Sequence, residues 1–472
     1  MENQPITSST GPSLSQYFAN DPPSLFDEIS QMQNRTSIIS DTFDGSFQAT
    51  EYIENSEEEL KVTDDVRNSW EPPNNENSSL TSPGIPSQED LPDHIHLAAK
   101  QHLSEIDVSE RKILTADDVT QDERGLRKLI AADCYRSAIN LTGRLLKMYR
   151  QGYGRPGSET VKHTPHSLQL WFTRLALLIK LGRYDILQAE AEPFGSLNRP
   201  DIFFEYYPDM YDGKKGSMAC FSFRVLLAEV PIYTGSPKVA IDNLTELASI
   251  CNEIKNYYGK NDKQNINYEF WRRRENRVLH SIINCAVMMR EFGLIDDIIK
   301  SLFEQTEMAK EDKRALFSAW GRIYLQIGDV FGAEQKFSEA RRLKDMNSTP
   351  DLRDLVDKGL IAVAQNDFQE AFMNFQKALH LDNQNTMLLN NMGVCLLYCG
   401  KLKDAIHIFE SSINMSPQQS LNESLLINLS TLYELESSNS KAKKLKLLKL
   451  INKFKPDLNI SLEFCLKLQT NN

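Results

Sequence analysis

The chain has 472 residues, 40% of them hydrophobic, and a formal net charge of −12. That length suffices for two or three domains, and the acidic balance excludes the broad basic footprint of a nucleic-acid-binding protein. No run of about 18 apolar residues occurs, which excludes a membrane-spanning helix.

The opening Met1-Glu2-Asn3-Gln4 is too polar for a secretory signal. The seven cysteines (134, 220, 251, 285, 395, 399 and 465) are odd in number and scattered. A reduced, cytoplasmic protein is therefore expected, and the Asn-x-Ser/Thr triplets at Asn34 and Asn77 are chance matches.

Residues 1–95 read as a disordered acidic arm rich in Ser, Asn and Pro. The first hundred residues hold 18 Asp and Glu against 4 Lys and Arg, a balance of −14, so the remainder is close to neutral at about +2. Gln16-Tyr17-Phe18 and Ser24-Leu25-Phe26-Asp27-Glu28 set aromatics beside acids, as a short docking peptide does or as scattered tail aromatics do. Ser56-Glu57-Glu58-Glu59 and Ser82-Pro83 are candidate kinase sites.

Helical periodicity begins after the arm. It divides into an N-terminal helical segment (96–164), divergent helix pairs (165–312), three regular helix pairs (313–418) and C-terminal capping helices (419–472).

In the divergent pairs, Trp171, Leu175 and Gly182 stand in one frame, then Leu227, Ala228, Gly235 and Ala240, then Cys285, Ala286, Gly293 and Ile298. Between the first two frames lies the aromatic-dense stretch 203–211. Phe203, Phe204, Tyr206, Tyr207 and Tyr211 are candidate partner-binding residues there, and the same aromatics would serve as a plug between helix pairs. Lys214-Lys215-Gly216-Ser217 lacks the leading glycine and residue order of a phosphate-binding loop. Trp271, Arg272 and Arg273 open a predicted helix. They would grip an acidic partner or, more plainly, form a solvated helix start.

The regular pairs carry the most information. Gly359, Ala371 and Phe375 recur at an offset of 34 as Gly393, Ala405 and Phe409. Gly321, Ala333 and Phe337, with Ala340, fit the same template, allowing about four extra residues in the connector Met346–Pro350. Small, small, aromatic at a 34-residue period is the tetratricopeptide helix–turn–helix signature. The glycine and alanine let two helices approach closely, and the phenylalanine fills the next turn. Turn residues Gly182, Gly235, Gly293, Gly328, Asn366 and Gly400 suit a left-handed backbone.

An all-α fold follows: a right-handed tetratricopeptide α-solenoid of six or seven helix pairs, a curved rod behind the arm. Lys441–Lys455 is a basic amphipathic helix with Leu447, Leu450, Ile451 and Phe454 on one side and Lys446, Lys449 and Lys453 on the other. It reads as the end helix of the stack, charged toward water, or as a peripheral membrane contact.

No constellation for chemistry emerges. Cys395, Cys399 and His407 fall short of the four ligands of structural zinc, so no metal or cofactor is expected and no enzyme is predicted. The inward places that hold a C-terminal carboxylate in co-chaperones carry Asp357 and Val394 where asparagine is needed, which disfavours that role.

Several stretches bear a family likeness: Gln151-Gly152-Tyr153-Gly154, Ser167–Gly182, Glu192–Asp201, Phe203–Met218, Val394–Ile406, Ser424–Ser438 and Cys465–Leu468. In order across residues 130–472, they resemble the subunit-12 family of the transport protein particle (TRAPP) tethering complex. The resemblance does not cover the arm, and Lys441–Lys455 departs from it. It implies a non-catalytic scaffold in endoplasmic-reticulum-to-Golgi transport and autophagy, located at the intermediate compartment and Golgi. It also implies partners among the large peripheral TRAPP subunits and, through them, the core that acts on a Rab-type GTPase. The alternative is a tetratricopeptide adaptor for a motor, ciliary or cell-cycle assembly.

Overall fold

The computed structural model describes residues 62–73, 79–87, 89–154, 161–260, 265–305, 310–344, 351–436, 439–458 and 462–468. The segments around Tyr17, Phe26, Asn34, Glu57, Asn77 and the 346–350 connector lie outside them. Every regular element among the described residues is a helix; besides these there are two isolated bridges, Ile85 with Tyr153 and Phe203 with Ser217.

Two short helices, α1 (His94–His102) and α2 (Glu105–Ser109), precede a succession of helical hairpins. The hairpins are α3 (Glu123–Ala131) with α4 (Tyr135–Lys147), α5 (Pro165–Lys180) with α6 (Tyr184–Ala191), and α7 (Phe221–Tyr233) with α8 (Pro237–Gly259). Next come α9 (Ile266–Met289) with α10 (Phe292–Gln305), then α11 (Lys310–Ile327) with α12 (Val330–Arg342). They continue as α13 (Leu352–Ala364) with α14 (Phe368–Leu381), α15 (Thr386–Tyr398) with α16 (Leu402–Met415), and α17 (Glu423–Glu436) with α18 (Ser440–Phe454). The short α19 (Leu462–Leu466) follows. Hairpins that bury one face on the next explain why the apolar periodicity runs so far along the chain.

Local chemistry fixes the helix starts. Thr164 and Ser167 form a reciprocal capping box at α5, with Pro165 in the first turn, and Asp351 with Asp354 does the same at α13. The tight turns inside the first seven hairpins each use one left-handed residue, supplied by Asp133, Gly182, Gly235, Arg290, Gly328, Asn366 and Gly400. Gly293 was expected in this role but lies inside α10, and Arg290 (φ 60°) makes the turn instead. A single left-handed non-glycine residue is tolerable where the turn satisfies its backbone: the Arg290 N–H donates to the Val287 carbonyl at 3.1 Å.

The repeat signature acts through one contact. A Cβ added to Gly321, Gly359 or Gly393 would come 2.5 Å from the ring of Phe337, Phe375 or Phe409 respectively. Each ring thus lies on the bare backbone of the preceding helix, and Ala333, Ala371 and Ala405 are fully buried beside it. Burying each phenylalanine contributes on the order of 1.5–3 kcal/mol.

Two expectations change. Part of the acidic arm is packed on the body, because Val66, Trp70, Thr81 and Ile85 are buried. Composition concealed this, since a few apolar side chains spaced along a polar strand suffice to dock it. The body, moreover, is not a rod with two free ends. Ile95 of α1 belongs to the same apolar cluster as Leu425, Leu448, Ile451 and Cys465 at the C-terminal end.

Polar contacts complete that seam. Arg111 pairs with Asp93 at 2.7 Å and donates to the carbonyls of Asn452, Lys455 and Pro456 at 3.0, 2.8 and 2.8 Å. The Arg136 N–H donates to buried Asp457 at 2.8 Å. Lys449 and Lys453 of α18 face water as expected, with side chains 43% and 49% exposed, and also pair with acids at the end of α2: Lys449 with Asp107 at 2.5 Å and Lys453 with Glu110, just past the helix, at 3.2 Å. Lys444 is buried against Glu434, whereas Lys446 is exposed.

Candidate partner-binding surface

The 29 residues between α6 and α7 form the largest irregular segment among the described hairpins, with three single 3-10 turns and no long helix. Their aromatics divide by burial. Phe194, Phe203 and Phe204 are inside the core, and Tyr207 and Tyr211 are half-buried against it. Tyr211 meets Phe204 edge-on at 5.1 Å. The Tyr207 hydroxyl accepts from the His163 N–H at 3.2 Å, and burial raises the pKa of both tyrosines. Only Tyr206 (45% exposed) and Met210 (49%) offer broad apolar area to solvent, beside exposed Glu205, Asp209, Lys214 and Lys215. The structure thus makes a plug of Phe203 and Phe204 and a surface patch of Tyr206 and Met210.

Beneath this segment runs the packed part of the arm, which sequence reasoning missed. The Trp271 indole N–H donates to the Val66 carbonyl at 3.2 Å, and the Arg274 guanidinium donates to the Arg67 carbonyl at 2.8 Å. The Ser217 N–H donates to the Asn68 carbonyl at 3.0 Å. Gly216 (φ 92°) permits that approach, because a Cβ there would fall 2.0 Å from the Asn68 oxygen. Further along, Asp201 accepts from the Thr81 N–H and hydroxyl at 2.7 and 3.1 Å, and His163 Nε2 faces the Thr81 carbonyl at 3.1 Å. Burial lowers the His163 pKa, which keeps the ring neutral.

Trp70 anchors the strap. Its ring lies 4.2 Å from the Arg224 guanidinium and its indole N–H donates to Asn198 at 3.2 Å. Arg224 in turn donates to Asn198, to the Ser196 and Leu197 carbonyls and to the Ser217 hydroxyl. Burial lowers its pKa, while these acceptors and the Trp70 and Phe203 faces stabilise the cation.

Trp271 was expected at a helix start and available to a partner. It sits instead in the second turn of α9 and is fully buried, because the strap covers it. Arg272 and Arg273 are half-buried and both engage Glu269, at 2.7 and 3.1 Å. The amides of the Lys214–Ser217 stretch serve protein acceptors: the Gly216 N–H donates to Glu205 at 2.8 Å. An isolated tryptophan within an acidic, proline-rich stretch was the one signal that residues 62–73 dock.

Elsewhere, Asp357 is buried, held by the Ser318 hydroxyl at 2.7 Å and by Arg322 at 3.1 Å. Burial raises its pKa, and the position is occupied by the fold itself. Cys395 is buried and its thiol is pushed up to about 12 by burial, the state of a packing residue. Among the described residues no group of three or more His, Cys, Asp or Glu side chains is placed to hold a metal ion, and no helix is long and apolar enough to cross a membrane.

Stacked helical hairpins with a glycine–phenylalanine contact at Gly321, Gly359 and Gly393, the last two 34 residues apart, define a tetratricopeptide-repeat protein. No protein-family model matches the chain. Two curated relatives do: trafficking protein particle complex subunit 12 of Mus musculus and of Homo sapiens, each 37% identical over 387 residues and 79% of this chain. The chain belongs to the family of trafficking protein particle complex subunit 12. It spans about half the length of these relatives, 48% of the mouse protein and 52% of the human one.

Similar solved structures include yeast Tom70 (14% identity, TM-score 0.30, 77% of this chain and 71% of that one). Another is the Cut9–Hcn1 hetero-tetramer of the APC/C (12% identity, TM-score 0.33, 72% and 54%).

Proposed function

We propose that this protein is a non-catalytic scaffold subunit of the TRAPP vesicle-tethering complex, acting in endoplasmic-reticulum-to-Golgi transport and autophagy. The observation that carries the reading is the 37% identity to subunit 12 over 79% of the chain. Stacked hairpins expose long faces suited to protein contact. On this reading the chain binds the large peripheral TRAPP subunits and, through them, the core that acts on a Rab-type GTPase. It works at the cytoplasmic face of the intermediate compartment and Golgi. The contact residues are Tyr206 with Met210, together with the half-buried Tyr207, Tyr211, Arg272 and Arg273.

Affinity purification of the tagged full chain, read by mass spectrometry, tests this directly. TRAPP subunits are expected in the eluate, and their loss from the Tyr206→Ala/Met210→Ala variant at unchanged melting temperature is expected to locate the contact. Recovery of a motor, ciliary or cell-cycle assembly without tethering subunits would overturn the reading.

A further inference from the structure

The packing of residues 62–73 has the character of a bound peptide. Three consecutive carbonyls, of Val66, Arg67 and Asn68, each accept from a donor placed by the body: the Trp271 indole, the Arg274 guanidinium and the Ser217 amide. Val66 and Trp70 are the buried side chains of this stretch, four positions apart, while Asp64, Asp65 and Glu71 face solvent. Trp70 fills a pocket bounded by Arg224, Trp271 and Asn198, and Tyr258 reaches Ser69 at 3.4 Å.

Backbone carbonyls read in series, with specificity from two side-chain pockets, are the working parts of a linear-peptide site. The body side is built in advance: Arg274 is fixed among the rings of Phe270, Trp271 and Phe221 at 4.3, 4.7 and 4.8 Å, and Arg224 by its own set of acceptors. The ligand side is one short stretch with a single helical turn, Asp64–Arg67. Such a stretch can open without disturbing the hairpins. The separate contacts of Thr81 with Asp201 and of Ile85 with Tyr153 would keep it tethered nearby.

We propose that the groove formed by Trp271, Arg274, Arg224, Asn198 and the Gly216–Ser217 backbone is a docking site for a short linear segment of a partner protein. That segment carries an aliphatic residue and, four positions on, a tryptophan, and residues 62–73 of this chain hold the site closed until it displaces them. The cis segment competes at the high effective concentration of a short tether, so free peptide binds the intact chain weakly. The groove goes beyond the tethering role and does not depend on it, since its test contains no TRAPP subunit.

The test uses the full chain, wild type and Trp70→Ala, titrated into a fluorescein-labelled peptide spanning residues 62–73 and read by anisotropy. Trp70→Ala is expected to bind the peptide roughly tenfold or more tightly than wild type, because it vacates the groove in cis. A peptide with alanine at the tryptophan position is expected not to bind. Equal binding by both chains, or none by a folded Trp70→Ala chain, overturns the proposal. Hydrogen exchange on the wild-type chain decides independently of whether that variant folds. The Ser217 amide, which donates to Asn68, is expected to exchange well before the amides in the middle of α9. Exchange of both only on global unfolding would make the segment permanent core and overturn the proposal.

Discussion

Gly359→Ala tests the contact on which the repeat depends. The added methyl would meet Phe375 Cε1 at 2.5 Å and Cδ1 and Cζ at 2.8 Å, all three on a rigid and fully buried ring. Overpacking of this kind costs about 1–3 kcal/mol, and alanine returns up to about 1 kcal/mol of helix propensity. The net expectation is a loss of about 1–2 kcal/mol. Gly293 in α10 is the internal control, since it is also helical but has nothing within 4 Å of an added Cβ. Gly293→Ala is expected to gain a few tenths of a kcal/mol up to about 1. Urea unfolding of both variants beside wild type measures the two signs. A Gly359→Ala/Phe375→Leu double variant should recover part of the loss if the ring is the cause. Equal stabilisation by both glycine replacements would refute the packing account of the 34-residue period.

The seam between the chain's ends yields further expectations. Arg111→Ala removes the buried partner of Asp93 and strands three carbonyls, so a loss of about 3–5 kcal/mol and early amide exchange in α1 are expected; a loss below about 1 kcal/mol would show the seam to be incidental. Burial raises Asp457 from 3.8 to about 6 despite the adjacent Arg136. The native state therefore holds this proton more tightly, and its stabilising contribution is complete below about pH 3.8 and disappears as pH rises through about 6. Asp457→Asn keeps an acceptor for the Arg136 N–H. It should flatten the pH dependence of stability between about 4 and 6 and be at least as stable as wild type at pH 7.5, by up to about 3 kcal/mol. Parallel pH profiles for the two chains would contradict this.

The regular hairpins were legible because their packing is local: a glycine and a phenylalanine 16 positions apart meet across one turn. The same frame placed α9 and α10 but misassigned the turn, since Gly293 drew attention from Arg290 three residues earlier. What escaped the sequence joins residues far apart in the chain. Nothing within Arg111 and its neighbours shows that its acceptors lie 341–345 positions away. Trp271 was conspicuous as an aromatic, but whether it meets a partner or the chain's own strap depends on residues 62–73, whose composition resembles linker. Composition averages over a segment, whereas docking is decided by single side chains such as Trp70.

Fastening α1 and α2 to the last helices also dictates an order of events during synthesis. An open repeat array can consolidate hairpin by hairpin as it leaves the ribosome. Here Ile95 must wait, uncovered, until Leu448 and Ile451 have emerged. Nascent chains truncated before α18 would therefore leave the apolar side of α1, Ile95 and Ala99, uncovered behind the arm, a natural handle for chaperones and for quality control.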